Sequence, residues 1–200
     1  MMGRGPSLGV LAFWREASFS DSASQIQTKN FKYLWLDFMK REITLRINNR
    51  DENINIDDAD TLLEVLRDRF KLWSVRESCG VGACGTCTVL LDGRPVSSCF
   101  LLAVRAGGHD VLTLEGLADG ERLHAIQEAF VSERALQCAY CTPGFVLSVK
   151  ALLDEIPNPS DEEIREYLSG NLCRCAGYAD ILRAVRVAQR KKDSSLRQTV

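Results

Sequence analysis

Apolar and polar residues alternate along Ile43-Thr44-Leu45-Arg46-Ile47, the period-two signature of a strand with one buried face. Asn48 to Asn53 is turn chemistry, and Ile54-Asn55-Ile56 alternates again, which predicts a hairpin. Thr61 and Glu64 have capping-box spacing. Leu62, Leu63, Leu66 and Phe70 then share one face of a helix ending near Phe70. Beyond a cysteine-rich loop, Thr88-Val89-Leu90-Leu91 and the run from Arg94 to Cys99 flank Asp92-Gly93, a strong hairpin turn signal. Val111-Leu112-Thr113-Leu114 predicts a last strand. Hairpin, helix, hairpin and strand amount to a small α+β sheet with one covering helix.

From Glu121 the period becomes helical. Leu123, Ile126, Phe130 and Val131 are expected on one face of a first helix. Thr142 is a candidate cap with Pro143 at the first helical position. Phe145, Val149, Leu152, Leu153 and Ile156 form the inward face, and Pro157 and Pro159 end that helix. Ser160 and Glu163 make a second capping box, opening a helix through Leu168 that Gly170 stops. A last helix starts near Tyr178 with Ile181, Leu182 and Val185 inward. The second half is therefore four helices, and the boundary falls near 116–120. This predicts one domain over 39–117, a second over 118–190, and a frayed polar tail over 191–200.

Residues 1–38 lack this pattern. Ser18 to Asn30 is rich in Ser, Gln and Asp, and Phe31 to Phe38 is apolar but isolated. The stretch is expected to be disordered, or to precede a natural start at Met39; the alternative is an arm that docks on a partner.

The formal net charge of −2, with 26% charged and 46% hydrophobic residues, is ordinary for a soluble globular chain. No basic excess points to nucleic acid, and no apolar run approaches the ~20 residues that span a bilayer. Eight cysteines is a high count. Disulfides would require an oxidising compartment. The apolar patch from Leu8 to Trp14 is closed at once by Arg15 and Glu16, and no twin arginine is present. The thiols are expected to be metal ligands in a reducing cytoplasm.

Cys79, Cys84 and Cys87 have the spacing Cys-x4-Cys-x2-Cys, and Cys99 follows after eleven intervening residues. This is the plant-type arrangement for a [2Fe–2S] cluster held by four thiolates. Gly80, Gly82 and Gly85 would allow the positive φ and tight wrapping that aim backbone N–H groups at cluster sulfurs. Zinc prefers paired Cys-x2–4-Cys knuckles, which this loop does not offer. The remaining cysteines are Cys138-x2-Cys141 and Cys173-x1-Cys175, each pair just before a predicted helix. Two helix N-termini, each with about half a positive charge, could stabilise an anionic centre. On spacing alone this second set suits iron–sulfur, with zinc as the alternative.

Three motifs then occur in order: Cys79-Gly80-Val81-Gly82-Ala83-Cys84-Gly85-Thr86-Cys87, Gln137-Cys138-Ala139-Tyr140-Cys141-Thr142-Pro143-Gly144, and Gly170-Asn171-Leu172-Cys173-Arg174-Cys175-Ala176-Gly177-Tyr178. Together, over about residues 40–188, they resemble the small iron–sulfur subunits of the xanthine oxidase, or molybdenum hydroxylase, family. The resemblance implies a β-grasp ferredoxin domain followed by a four-helix bundle. It implies two [2Fe–2S] clusters, one on Cys79, Cys84, Cys87 and Cys99 and one on Cys138, Cys141, Cys173 and Cys175. It also implies a large subunit holding molybdopterin, often the cytosine dinucleotide form, and an FAD subunit. Gln137 and Cys175 would lie against the pterin. Two positions depart from the family pattern: Ala139, more often Gly, and Ala176, more often Thr.

His109 and His124 are expected to be surface or packing residues, and Asp161-Glu162-Glu163 to compensate a helix dipole. No catalytic acid, base or nucleophile stands out, so substrate chemistry is expected on another chain. The function that follows is electron transfer from molybdenum through two clusters to FAD. The alternatives are a free-standing two-cluster ferredoxin or redox sensor, and a zinc-stabilised interaction module.

Overall fold

The computed structural model describes residues 40–197, with side chains to residue 192. The expectations for residues 1–38 and for a start at Met39 lie outside the described residues. β1 (Lys40–Ile47) and β2 (Arg50–Asp57) form the first hairpin. Their register pairs Ile43 with Ile54 and Ile47 with Arg50. The turn is therefore only Asn48-Asn49, with φ of 49° and 66°, and the polar stretch from Arg50 to Asn53 is strand rather than turn. Asparagine tolerates this left-handed pair, which suits the twist of a two-residue hairpin. β2 lies at the sheet edge, where charge on its open face discourages pairing with another chain.

α1 (Leu62–Glu64) opens on the expected capping box, with Thr61 and Glu64 each bonding the other's backbone N–H. It does not stay α-helical to Phe70. It widens into a π-helical turn over Val65–Arg69. Leu62, Leu63, Val65 and Leu66 are buried against the sheet.

β3 (Thr88–Leu91) and β4 (Arg94–Ser97) form the second hairpin around Asp92-Gly93, with φ of 48° and 79°. β4 stops at Ser97, so Cys99 sits in a turn rather than a strand. β5 covers Asp110–Leu112, and Leu114–Gly116, expected to be partly strand, turns as a short 3-10 helix. The sheet order is β2-β1-β5-β3-β4, with β1 and β5 parallel and the other pairs antiparallel.

The helical half contains α2 (Ala125–Ser132), α3 (Thr142–Glu155), α4 (Asp161–Tyr167) and α5 (Tyr178–Arg197). α2 begins later than the periodicity suggests because the His124 side chain accepts from Ile126 N–H and caps it. Leu123 therefore precedes the helix, and Val131 points away from the buried Ile126 and Phe130; their exposures are 44% and 58%. At α3 the cap position is Cys141, not Thr142, and no side chain bonds there. The Ser160–Glu163 capping box opens α4 as expected. α5 continues to Arg197, past the point where the polar composition predicts a frayed tail.

The two halves meet through β3. Val89 belongs to the sheet's own core, whereas Leu90, on the opposite face, packs with Leu147 and Ala151 of α3. β3 is thus covered on both faces, which is why its apolar run does not alternate. Each fully buried side chain of this kind contributes about 1.5–3 kcal/mol.

Candidate metal centres

Gly80, Gly82 and Gly85 have φ of 67°, 73° and 66°, as the loop chemistry requires. This winding aims N–H groups at sulfur. Ala83 N lies 3.3 Å from Cys79 Sγ. The Val81 and Ala83 N–H groups, with the Cys84 thiol, pull the Cys79 thiol down to about 6. Cys99 is delivered by the far end of the second hairpin. The first free N–H groups of α1, on Leu62 and Leu63, donate to the carbonyls of Leu101 and Ser98 and hold that segment. The buried Ser98 hydroxyl donates to Cys87 C=O at 2.7 Å. Burial, and then contact with the Cys87 thiol, push Cys99 up to about 11.

The second set shows the same division. Cys138 is lowered by the Tyr140 N–H and by the Cys175 thiol beside it. Cys141 is raised to about 12 by burial and by contact with Cys173. The N-termini of α3 and α5 come together here. Phe145 and Tyr178, one near the start of each helix, meet edge to face at 6.4 Å. Tyr178 Oη also accepts from Cys173 N–H at 3.0 Å.

None of the eight cysteines forms a disulfide. They approach in pairs: Cys79 with Cys84, Cys87 with Cys99, Cys138 with Cys175 and Cys141 with Cys173. Among the described residues no three His, Cys, Asp or Glu side chains meet as ligands of one ion. A two-iron cluster takes two thiolates at each end. Paired thiols, N–H groups aimed at sulfur and a positive-φ cradle fit the cluster. A bound cluster must displace protons from Cys99 and Cys141, since only thiolates ligate.

The two sets are wired together by backbone. Leu172 N–H donates to Cys84 C=O at 2.9 Å, so a residue adjoining Cys173 bonds a cysteine of the first loop directly. Next to it, Asn171 Nδ2 donates to Gly85 C=O at 3.0 Å, and Asn171 Oδ1 accepts from Ser148 Oγ at 2.9 Å. Asn171 is 6% exposed. Gly85 C=O also accepts from Thr88 N and Oγ1. The sequence alone suggests no role for Asn171, Ser148 or Gly144, because their partners are distant in the chain; a Ser on the apolar face of α3 is the available signal. Asn171→Ala is expected to destabilise the chain by about 1–3 kcal/mol, because the buried Ser148 hydroxyl loses its acceptor, while Gly85 C=O keeps its two Thr88 donors. Thermal unfolding measures this, and an unchanged midpoint would contradict it.

Gln137 is exposed, and its amide and Cys173 Sγ both border Gly177. Ala139 and Ala176, the departures from the family pattern, have φ of 59° and 57°. Ala176 is not a helix cap, because Gly177 C=O accepts the first helical bond, from Ile181. Ala139→Gly should relieve a left-handed alanine that costs about 1–2 kcal/mol, offset in part by unfolded-state entropy. A small rise in unfolding temperature, corresponding to about 0.5–1 kcal/mol, is the expected result.

His109 and His124 stand apart from both cysteine sets. His109 Nδ1 pairs with Asp92 at 2.6 Å, and His124 serves as the α2 cap.

Two family models match the chain: "2Fe-2S iron-sulfur cluster binding domain" over residues 45–113 and "[2Fe-2S] binding domain" over 113–186. The nicotinate dehydrogenase small FeS subunit of Eubacterium barkeri is 46% identical over 149 residues, covering 74% of this chain and 95% of that protein. The chain belongs to the small iron–sulfur subunits of the molybdenum hydroxylase family. Another relative, the nicotine 6-hydroxylase small subunit of Paenarthrobacter nicotinovorans, is 45% identical over 144 residues, 72% of this chain and 87% of that one. Among solved structures, a chain of quinoline 2-oxidoreductase from Pseudomonas putida 86 superimposes with a TM-score of 0.73 at 40% identity, covering 76% of this chain and 98% of that one. As an iron–sulfur subunit of this family, the protein is the electron-transfer part of an oxidoreductase that includes other subunits. Among the described residues no helix is long and apolar enough to cross a membrane.

Proposed function

We propose that this chain carries electrons from a molybdopterin centre to FAD through two [2Fe–2S] clusters. Cys79, Cys84, Cys87 and Cys99 would hold one, on a β-grasp domain. Cys138, Cys141, Cys173 and Cys175 would hold the other, on a four-helix bundle. The single observation that carries this reading is the Leu172 N–H bond to Cys84 C=O at 2.9 Å, which joins the two thiol sets by one hydrogen bond and a short run of backbone.

When bound, the clusters supply one-electron storage; the chain's own residues supply ligands, spacing and field. The loop N–H groups around Cys79 and the joined ends of α3 and α5 offset the negative charge of the sulfurs. The Asn171–Gly85–Ser148 network fixes the separation of the two sites, because none of its members can move without stranding a buried polar group.

Partners are supported by what the second site leaves open. Leu136, Tyr140, Leu172 and Tyr178 are 41–53% exposed around it. An apolar rim of this kind fits burial beneath another subunit. We assign that rim to a large subunit holding molybdopterin, in its cytosine dinucleotide form, with Gln137 and Cys175 facing the pterin. An amide can pair with a pterin's donor–acceptor edge. A medium FAD-binding subunit would lie on the Cys79 side. The complex would reside in the cytoplasm, where thiols stay reduced.

Chemical reduction of the native complex, followed by electron paramagnetic resonance, tests the cluster count. Two distinct [2Fe–2S] signals of equal intensity are expected. One signal alone would leave one cysteine set without its cluster.

A further inference from the structure

Arg76 and Glu77 lie just before the first cysteine loop, yet both contact the loop between Cys138 and Cys141. The Arg76 guanidinium donates to Ala139 C=O and stands over the Tyr140 ring, 5.2 Å from its centre. Tyr140 returns the contact by donating its hydroxyl to Glu77 C=O at 2.5 Å. The two loops are thereby clasped by side chains as well as by the Asn171 network. The clasp also fixes a permanent positive charge beside a residue that adjoins Cys138. Nothing about its geometry serves ligation, since neither Arg76 nor Tyr140 offers a thiolate.

We propose that Arg76 is a positioning residue that sets the reduction potential of the centre on Cys138, Cys141, Cys173 and Cys175. It does so by holding its charge on the Ala139 carbonyl and over the Tyr140 ring. The inference rests on the two-cluster reading above. A reduced cluster carries one more negative charge than an oxidised one. A cation held at its edge therefore favours reduction, making this centre the better electron acceptor and drawing charge inward from the pterin side. An arginine suits the task because its guanidinium is always charged and its planar face stacks on tyrosine while an edge N–H donates. The ring and the carbonyl fix the guanidinium beside Cys138, where a freely moving lysine head would spend much of its time in water.

The experiment is a potentiometric titration of the native complex, followed by electron paramagnetic resonance, for the wild type, Arg76→Gln, Arg76→Lys and Tyr140→Phe. Arg76→Gln should shift the oxidised-to-reduced ratio of one cluster about tenfold toward oxidised at fixed potential, ~59 mV for one electron. The other cluster should keep its potential. Arg76→Lys should recover part of the shift because it keeps the charge. Tyr140→Phe should stay near wild type because it keeps the ring beneath the guanidinium. Intact clusters with unchanged potentials in Arg76→Gln would overturn the proposal. So would equal shifts in Arg76→Gln and Arg76→Lys, which would make shape rather than charge the cause. Wild-type complex without two cluster signals would overturn the cluster reading itself, a result distinct from either.

Discussion

Cys138→Ser is expected to give a complex in which substrate still reduces the molybdenum centre but no longer reduces the flavin. Serine offers iron a hard, protonated hydroxyl in place of a soft thiolate that its surroundings already favour. The Tyr140 N–H and the Cys175 thiol would then face a group that does not hold charge. Loss of an outer-shell partner already costs a ligand roughly 10–100-fold in metal affinity, and loss of the ligand should exceed that. The variant leaves the Leu172–Cys84 bond and the Asn171 network untouched, since neither involves residue 138. The site on Cys79, Cys84, Cys87 and Cys99 should therefore keep its own paramagnetic signal. Stopped-flow reduction by substrate, read separately at the molybdenum and flavin, measures the outcome. Normal flavin reduction would refute the path.

The second large effect is expected from Gly144→Ala. Gly144 is in the first turn of α3, where alanine would ordinarily favour the helix by about 1 kcal/mol. Here the sign reverses. A Cβ at this position would stand 2.2 Å from Gly85 O and 3.3 Å from Asn171 Nδ2. The nearest atom is backbone, so no rotamer change relieves it. α3 must shift away from the first cysteine loop, or that loop must move and surrender the Asn171 bond. Destabilisation of roughly 3 kcal/mol is expected, at the upper end of what overpacking costs. Thermal unfolding should fall by about 6–12 °C for a domain of this size. The two cluster signals should broaden together, because the strained contact lies between them. A variant as stable as wild type would show that α3 and the loop are not in such close approach.

What can be read from the sequence is mainly local. Gly80, Gly82 and Gly85 are expected at positive φ from the cysteine spacing, and all three are. The Thr61–Glu64 and Ser160–Glu163 capping boxes and the Asp92-Gly93 turn each lie within four residues, and each forms. Features that depend on neighbours are harder. The polar Asp51 and Asn53 read as turn because an edge strand with a solvent face needs few apolar residues. Val131 looks like core by composition, yet the helix turns it outward. Nothing in an alanine announces a left-handed backbone, so Ala139 is legible only against the glycine of the family pattern, and Ala176, where that pattern has threonine, is not legible at all. Asn171, Gly144 and Arg76 act across the junction between the two halves, over separations that no periodicity records.

The central claim is that this chain is the two-cluster conductor of a molybdenum hydroxylase complex. The most direct measurement is iron, sulfide, molybdenum and flavin analysis of the particle purified natively with this chain. The account predicts about four irons and about four sulfides per chain, two of each for each cluster, with molybdenum and flavin in the same particle. Iron and sulfide without molybdenum or larger chains would contradict it in favour of a free two-cluster carrier, and zinc in place of iron would contradict it altogether.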